Sequence, residues 1–191
     1  PSGRFALTGT GRFLGAESVL PVRDAGATRA PLDPNQRQGR DRIVGSMEAT
    51  WTPSDRWTHR LTVSDYHLVF TFDDLRDALV ASQYPFFIRN FTIHTKSVLE
   101  RRTARYVGTV TGDPAKPSGL ALSYGVEWEK ESLDASSSGE FGSSEQTMSR
   151  PSLAAFAEGQ IRSGERWSFL AGARVQSFEG VKSALVPRAT A

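Results

Sequence analysis

The sequence predicts an all-β fold, an antiparallel up-and-down meander forming part of a large transmembrane β-barrel. Three observations predict it. Segments in which apolar residues fall at every second position recur along the 191 residues, and a period of two is the strand signal. The links between those segments alternate between tight turns and long loops. Tryptophans stand where the segments meet the turns.

The first segment, Phe5 to Phe13, sets Phe5, Leu7, Gly9, Gly11 and Phe13 against Ala6, Thr8, Thr10 and Arg12. Ile43 to Trp51 sets Ile43, Gly45, Met47, Ala49 and Trp51 against Val44, Ser46, Glu48 and Thr50. Trp57 to Val63 follows the rule more weakly, and Arg101 to Thr111 carries Ala104, Tyr106, Gly108 and Val110 as its apolar set. Gly119 to Glu131 places Leu120, Leu122, Tyr124, Val126 and Trp128 opposite Ala121, Ser123, Gly125, Glu127 and Glu129. Leu153 to Ile161 repeats the pattern. Trp167 to Gln176 is the clearest: Trp167, Phe169, Ala171, Ala173 and Val175 oppose Ser168, Leu170, Gly172, Arg174 and Gln176. A soluble half-buried strand would turn its apolar side to a packed core. Here the opposite side carries Arg12, Glu48, Arg60, Glu127, Glu158 and Arg174, which suits a wet lumen with lipid outside. The convex side is therefore expected to hold Met47, Leu122, Tyr124, Val126, Phe169 and Ala171, and the concave, lumen-facing side Glu48, Glu127, Glu158 and Arg174.

The turns Pro53–Arg56, Asp113–Ser118 and Ser163–Arg166 are short and rich in turn residues. Between them lie three long connections: Glu17 to Arg42, about Asp73 to Glu100, and about Ser132 to Arg150. Loops of that length are uncommon in compact soluble domains. Outer-membrane barrels pair short periplasmic turns with long extracellular loops. Tryptophan supplies an independent check. Trp51, Trp57 and Trp167 lie beside short turns, and Trp128 stands roughly 23 Å further along the membrane normal than the start of its strand. The four read as membrane-girdle aromatics; as core aromatics of a soluble fold they would need a second apolar layer.

Composition narrows the function. Hydrophobic residues make up 38% of the chain, and no run is long and apolar enough for a helical span. There is no cysteine, so disulfide frameworks and thiol chemistry are excluded. His59, His67 and His94 lack metal-ligand spacing, so neither metal nor cofactor is expected, and they read as girdle or loop residues. Net charge is +2 with the signs interspersed, which makes nucleic acid an unsuitable partner. Asp65-Tyr-His67 with Asp73-Asp74 could suggest an Asp/His pair and a carboxylate pair activating water, but both lie on one strand and its exit, whereas such chemistry needs facing walls. No catalytic residue is expected.

Residues 153–188 carry a resemblance. The run Leu153-Ala-Ala-Phe-Ala-Glu-Gly-Gln160, the turn at Ser163–Arg166 and the following strand with Gly172 and Arg174 resemble the strand–turn–strand pattern of TonB-dependent outer-membrane receptors. Val186-Pro187-Arg188 resembles the family's "x-P-R" strand start, and Gly125-Val-Glu127 its "G-x-E" strand. The resemblance implies that residues 1–191 are one barrel segment of about seven strands plus the start of an eighth. Plug domain, TonB box and C-terminal aromatic are absent from it, and the chain reads as truncated at both ends. It further implies a Gram-negative outer-membrane location, contact with outer-membrane lipid, coupling to TonB through the missing plug, and import of a small molecule or metal chelate such as a ferric siderophore or a cobalamin-like molecule. Tyr84, Phe86, Phe87 and Arg89, in the second long loop, would suit a conjugated anionic ligand. The alternatives are a small outer-membrane barrel of porin-like or structural role, or a soluble antiparallel β-protein.

Overall fold

The computed structural model describes residues 3–19, 22–23, 31–33, 35–75, 92–112, 119–164 and 166–190. Every regular element among them is a strand: β1 (Arg4–Val19), β2 (Val22–Arg23), β3 (Pro31–Asp33), β4 (Arg37–Ser54), β5 (Trp57–Asp74), β6 (Ile93–Thr111), β7 (Gly119–Gly139), β8 (Gly142–Ser163), β9 (Trp167–Phe178) and β10 (Val181–Thr190). Eight of them form a single sheet in the order β1-β4-β5-β6-β7-β8-β9-β10, each antiparallel to its neighbours, while β2 and β3 pair as a small ribbon between β1 and β4. There is no crossover. The meander expected from the sequence is the observed topology.

Strand length departs from expectation. The stretch from Ser132 to Arg150, expected as a loop, is regular sheet: β7 and β8 stay in register until Gly139 faces Gly142 across the turn Glu140-Phe141. The other long links are shortened likewise, since β1 reaches Val19, β4 begins at Arg37 and β6 begins at Ile93. β10 runs ten residues, Val181–Thr190, the shortest strand of the eight-stranded sheet. The reason is that backbone pairing does not need an apolar stripe. Serine and threonine hold a ladder in water once neighbouring strands set the register, and period-two hydrophobicity stops at the end of the apolar region. Length alternation therefore fails on one side: the links at Glu140-Phe141 and Glu179-Gly180 are as short as those at Asp55-Arg56.

Local chemistry fixes the turns. Gly164 and Gly180 take positive φ values of 63° and 75°, which only glycine adopts without cost. The register slips between Trp51 and Ser54, where Pro53 lacks the N–H that a ladder position must donate. Inside the sheet, aromatic rings cover glycines: the Tyr124 ring lies over Gly108 on one face, and the Phe156 ring over Gly125 on the other.

The sheet has no conventional core. Ala154, at 3% exposure, is the one buried apolar residue among those described, while Phe5, Leu7, Leu120, Val126, Leu153 and Trp167 are each at least half exposed. A soluble fold would cover that surface with a second layer.

Candidate functional site: the two faces of the wall

Register assigns every side chain to a face. One cross-strand row runs Thr8–Glu48–Thr62–Arg105–Glu127–Ala154–Gln176–Ala184. Its neighbour on the same side runs Ala6–Thr50–Arg60–Val107–Gly125–Phe156–Arg174–Val186. Glu48, Glu127, Glu158 and Arg174 thus share one face, with Arg12 and Arg60. The opposite row Leu7–Ala49–Leu61–Tyr106–Val126–Ala155–Val175–Leu185 is apolar throughout.

The apolar residues form a band that is oblique to these rows. On β1 it runs from Phe5 to Phe13, and on β9 from Trp167 to Val175. Tracing the register across, Phe5 shares a row with Ala173 and Leu7 shares one with Val175. Both edges of the band therefore drop by six residues between β1 and β9, which is about 20 Å along the strands over about 29 Å across them. A level band then requires strands tilted by about 35°, at the lower end of the 35–45° range of closed barrels. With that tilt, the eight-residue rise on either strand spans about 22 Å, close to the apolar height of roughly 25 Å found in membrane barrels. The two strands give the same height, and the two edges of the band give the same slope.

Aromatics mark the edges. Trp51, Trp57 and Trp167 lie on the apolar face at the turn side, with His59 stacked between the first two at 5.2 and 5.9 Å and bonded through Nδ1 to the Tyr106 hydroxyl at 2.8 Å. Trp128 stands at the far edge, one position before Lys130 on that face. Beyond the edge the same face turns ionic: Asp65 pairs with Arg102 at 3.2 Å, His67 with Glu100 at 3.3 Å, and Asp73 with His94 at 2.7 Å. These pairs absorb every group of the Asp/His arrangement except Asp74, which faces the other side and accepts from Gln36. Among the described residues no group of His, Cys, Asp or Glu is arranged to hold a metal.

On the charged face Glu127 of β7 joins three strands. One oxygen meets Arg105 of β6 at 2.9 Å and the other Arg174 of β9 at 2.5 Å, so the second contact passes over β8 and seals Ala154 beneath it. Glu158 meets Arg188 at 3.5 Å, and Arg105 lies 5.8 Å over the Phe156 ring. Together these side chains line a cleft of 460 Å³. Arg105 was not singled out in the sequence, and Arg188 entered only through the Val186-Pro187-Arg188 resemblance, because neither lies in a strand whose polar face the alternation spelled out. Tyr84, Phe86, Phe87 and Arg89 lie outside the described residues.

The sequence matches the TonB dependent receptor-like β-barrel family over residues 2–191. The chain belongs to that family. Its barrels serve transport and not catalysis. No curated protein sequence matches the chain. Among solved structures, the RagAB peptide importer in the "open-open" state is similar with a TM-score of 0.60 at 9% identity, over 81% of this chain and 19% of that one. The shared feature is the fold, and this TonB-dependent receptor wall spans about a fifth of the similar chain.

Proposed function

We propose that this chain is a stretch of the wall of a Gram-negative outer-membrane receptor that imports a scarce ligand, such as a ferric siderophore or a cobalamin-like molecule, energised by TonB through a plug domain. The observation that carries the reading is the oblique apolar band, whose slope and height fit a tilted strand array in a bilayer. In this reading Glu48, Glu127, Glu158 and Arg174 face the lumen, Trp51, Trp57, Trp128 and Trp167 form the girdles, and the band meets outer-membrane lipid. Energy comes from outside the wall, so no catalytic group or cofactor is required of it. Ligand contact falls to the loops, including Tyr84, Phe86, Phe87 and Arg89.

The test is accumulation of labelled ferric siderophores and cobalamin by cells carrying the complete receptor, with and without TonB. Uptake of one ligand that needs both the receptor and TonB is expected. Phe86→Ala, Phe87→Ala and Arg89→Ala should each weaken binding of that ligand by roughly thirtyfold if they are anchors, with Ser54→Ala as the unaffected control. Accumulation indifferent to deletion of the receptor would refute the reading.

A further inference from the structure

Above the apolar band the charged face changes character. One row there reads Leu14–Arg42–Leu68–Leu99–Leu133–Met148 across six strands. The next reads Ala16–Arg40–Phe70–Ser97–Ala135–Gln146, and the one after it Ser18–Gln38–Phe72–Thr95–Ser137–Ser144. Along β5 the sequence Tyr66-His-Leu-Val-Phe-Thr-Phe72 turns Tyr66, Leu68, Phe70 and Phe72 to this side. Within the band the same face carried ions and hydroxyls; here the first row is an apolar strip roughly 24 Å long, and the outer two add Phe70 and Phe72 among hydroxyls and amides. Two arginines stand in these three rows and no acid does. Neither Arg40 nor Arg42 has an acidic partner among the described residues, whereas Arg101, one row below, is held by Glu129 at 2.7 Å and Glu131 at 3.5 Å.

Apolar surface with unpaired cations at one end is complementary to a molecule with the opposite arrangement. We propose that this strip binds an elongated apolar molecule carrying an anionic head, with the chain lying along Leu68, Leu99 and Leu133 and the head at Arg40 and Arg42. The inference rests on the receptor reading and names a ligand class for its lumen face. Phe70 and Tyr66 flank the strip and set its width. A neutral molecule of the same length would leave both guanidiniums without a partner, so the head supplies selectivity and the chain supplies area.

The complete receptor in lipid nanodiscs is irradiated with hexadecanoate bearing a chain-end diazirine, or with the matching alcohol, and adducts are mapped by peptide mass. Lipid-facing Leu122 serves as an internal reference, because both probes dissolve in the bilayer. Hexadecanoate, whose chain end reaches about four strands from its head, should label Leu133 and Met148 relative to Leu122 more than the alcohol does. The double variant Arg40→Gln/Arg42→Gln should cut that ratio about tenfold, the size of one lost charge-assisted contact. Arg40→Lys/Arg42→Lys should retain most of it, and Arg162→Gln, on the same face near the turns, all of it. Equal ratios for acid and alcohol, or a ratio unmoved by the glutamine variant, overturn the proposal, including the case in which another segment of the protein covers the strip. Labelling needs no TonB, so a receptor for a different ligand would fail here and still accumulate that ligand in cells.

Discussion

At the scale of single residues, the sheet tolerates or rejects bulk according to what lies across the strand. A Cβ on Gly125 would meet the Tyr106 carbonyl oxygen and the Phe156 ring, whereas one on Gly11 or Gly45 would meet nothing within 4 Å. Gly125→Val should therefore destabilise the barrel by about 1–3 kcal/mol, the usual size of overpacking, and Gly11→Val should be near neutral. Urea unfolding of the complete barrel in lipid vesicles, read by tryptophan fluorescence, separates the two; equal midpoints would contradict the ring placement. Glu127 behaves differently. Its ion pairs are about a quarter exposed on the Glu127 side, at 24%, and more on the arginine side, so screening keeps their worth to roughly 1 kcal/mol or less. Glu127→Gln should move the same midpoint only slightly. None of this was legible in the sequence, where Gly11 falls in the apolar set of its strand and Gly125 in the polar set of its own, and only the register puts a ring over Gly125.

At the scale of elements, the β7–β8 hairpin is the informative case. Alternation ends near Glu131, so sequence reasoning placed a loop from Ser132 to Arg150, yet the ladder continues to Gly139. Hydrophobic periodicity reports which surface meets apolar surroundings, and it falls silent where both surfaces meet water. It located the band on each strand and the turn-side ends at Trp57, Thr111, Gly119 and Trp167, and missed the ends on the opposite side. The band edges were legible because Trp128 and the turn-side tryptophans mark them. In contrast, β9 ends at Phe178 while β8 runs on, so the hairpin projects past its neighbour on that side, with Phe141 at its tip 85% exposed. This gives a topological prediction. A peptide tag inserted between Glu140 and Phe141 should be stained by antibody on intact cells, and the same tag between Asp55 and Arg56 only after the outer membrane is permeabilised. The reverse pattern would invert the wall, and staining of both on intact cells would remove it from the bilayer.

At the scale of the whole molecule, the fold was legible because a membrane wall is written in one dimension. Each strand contributes its own stretch of the band, and short turns fix which strands are neighbours. The slope of the band was not legible, since it exists only once register ties β1 to β9. That slope turns a list of amphipathic strands into a claim about the surrounding medium, and it predicts how charge will be tolerated. Val126 lies near the middle of the band on β7, and Ser123 lies close by on the opposite face. Arginine at the midplane of a barrel's lipid side costs about 2–4 kcal/mol, falling to about 0–1 near the interfaces. Val126→Arg should therefore lower the stability of the complete barrel in vesicles by that amount, Leu120→Arg by less because it sits at the turn-side edge, and Ser123→Arg hardly at all. The order matters more than the sizes. A soluble sheet covered by a second layer would also reject Val126→Arg, but the penalty would follow local packing and would persist in detergent-free buffer. A penalty graded by distance from the band's centre line, following the oblique edges and not the rows of the register, arises only if the medium on that face is a bilayer. Equal penalties at Val126 and Leu120 would leave the slope without a physical cause.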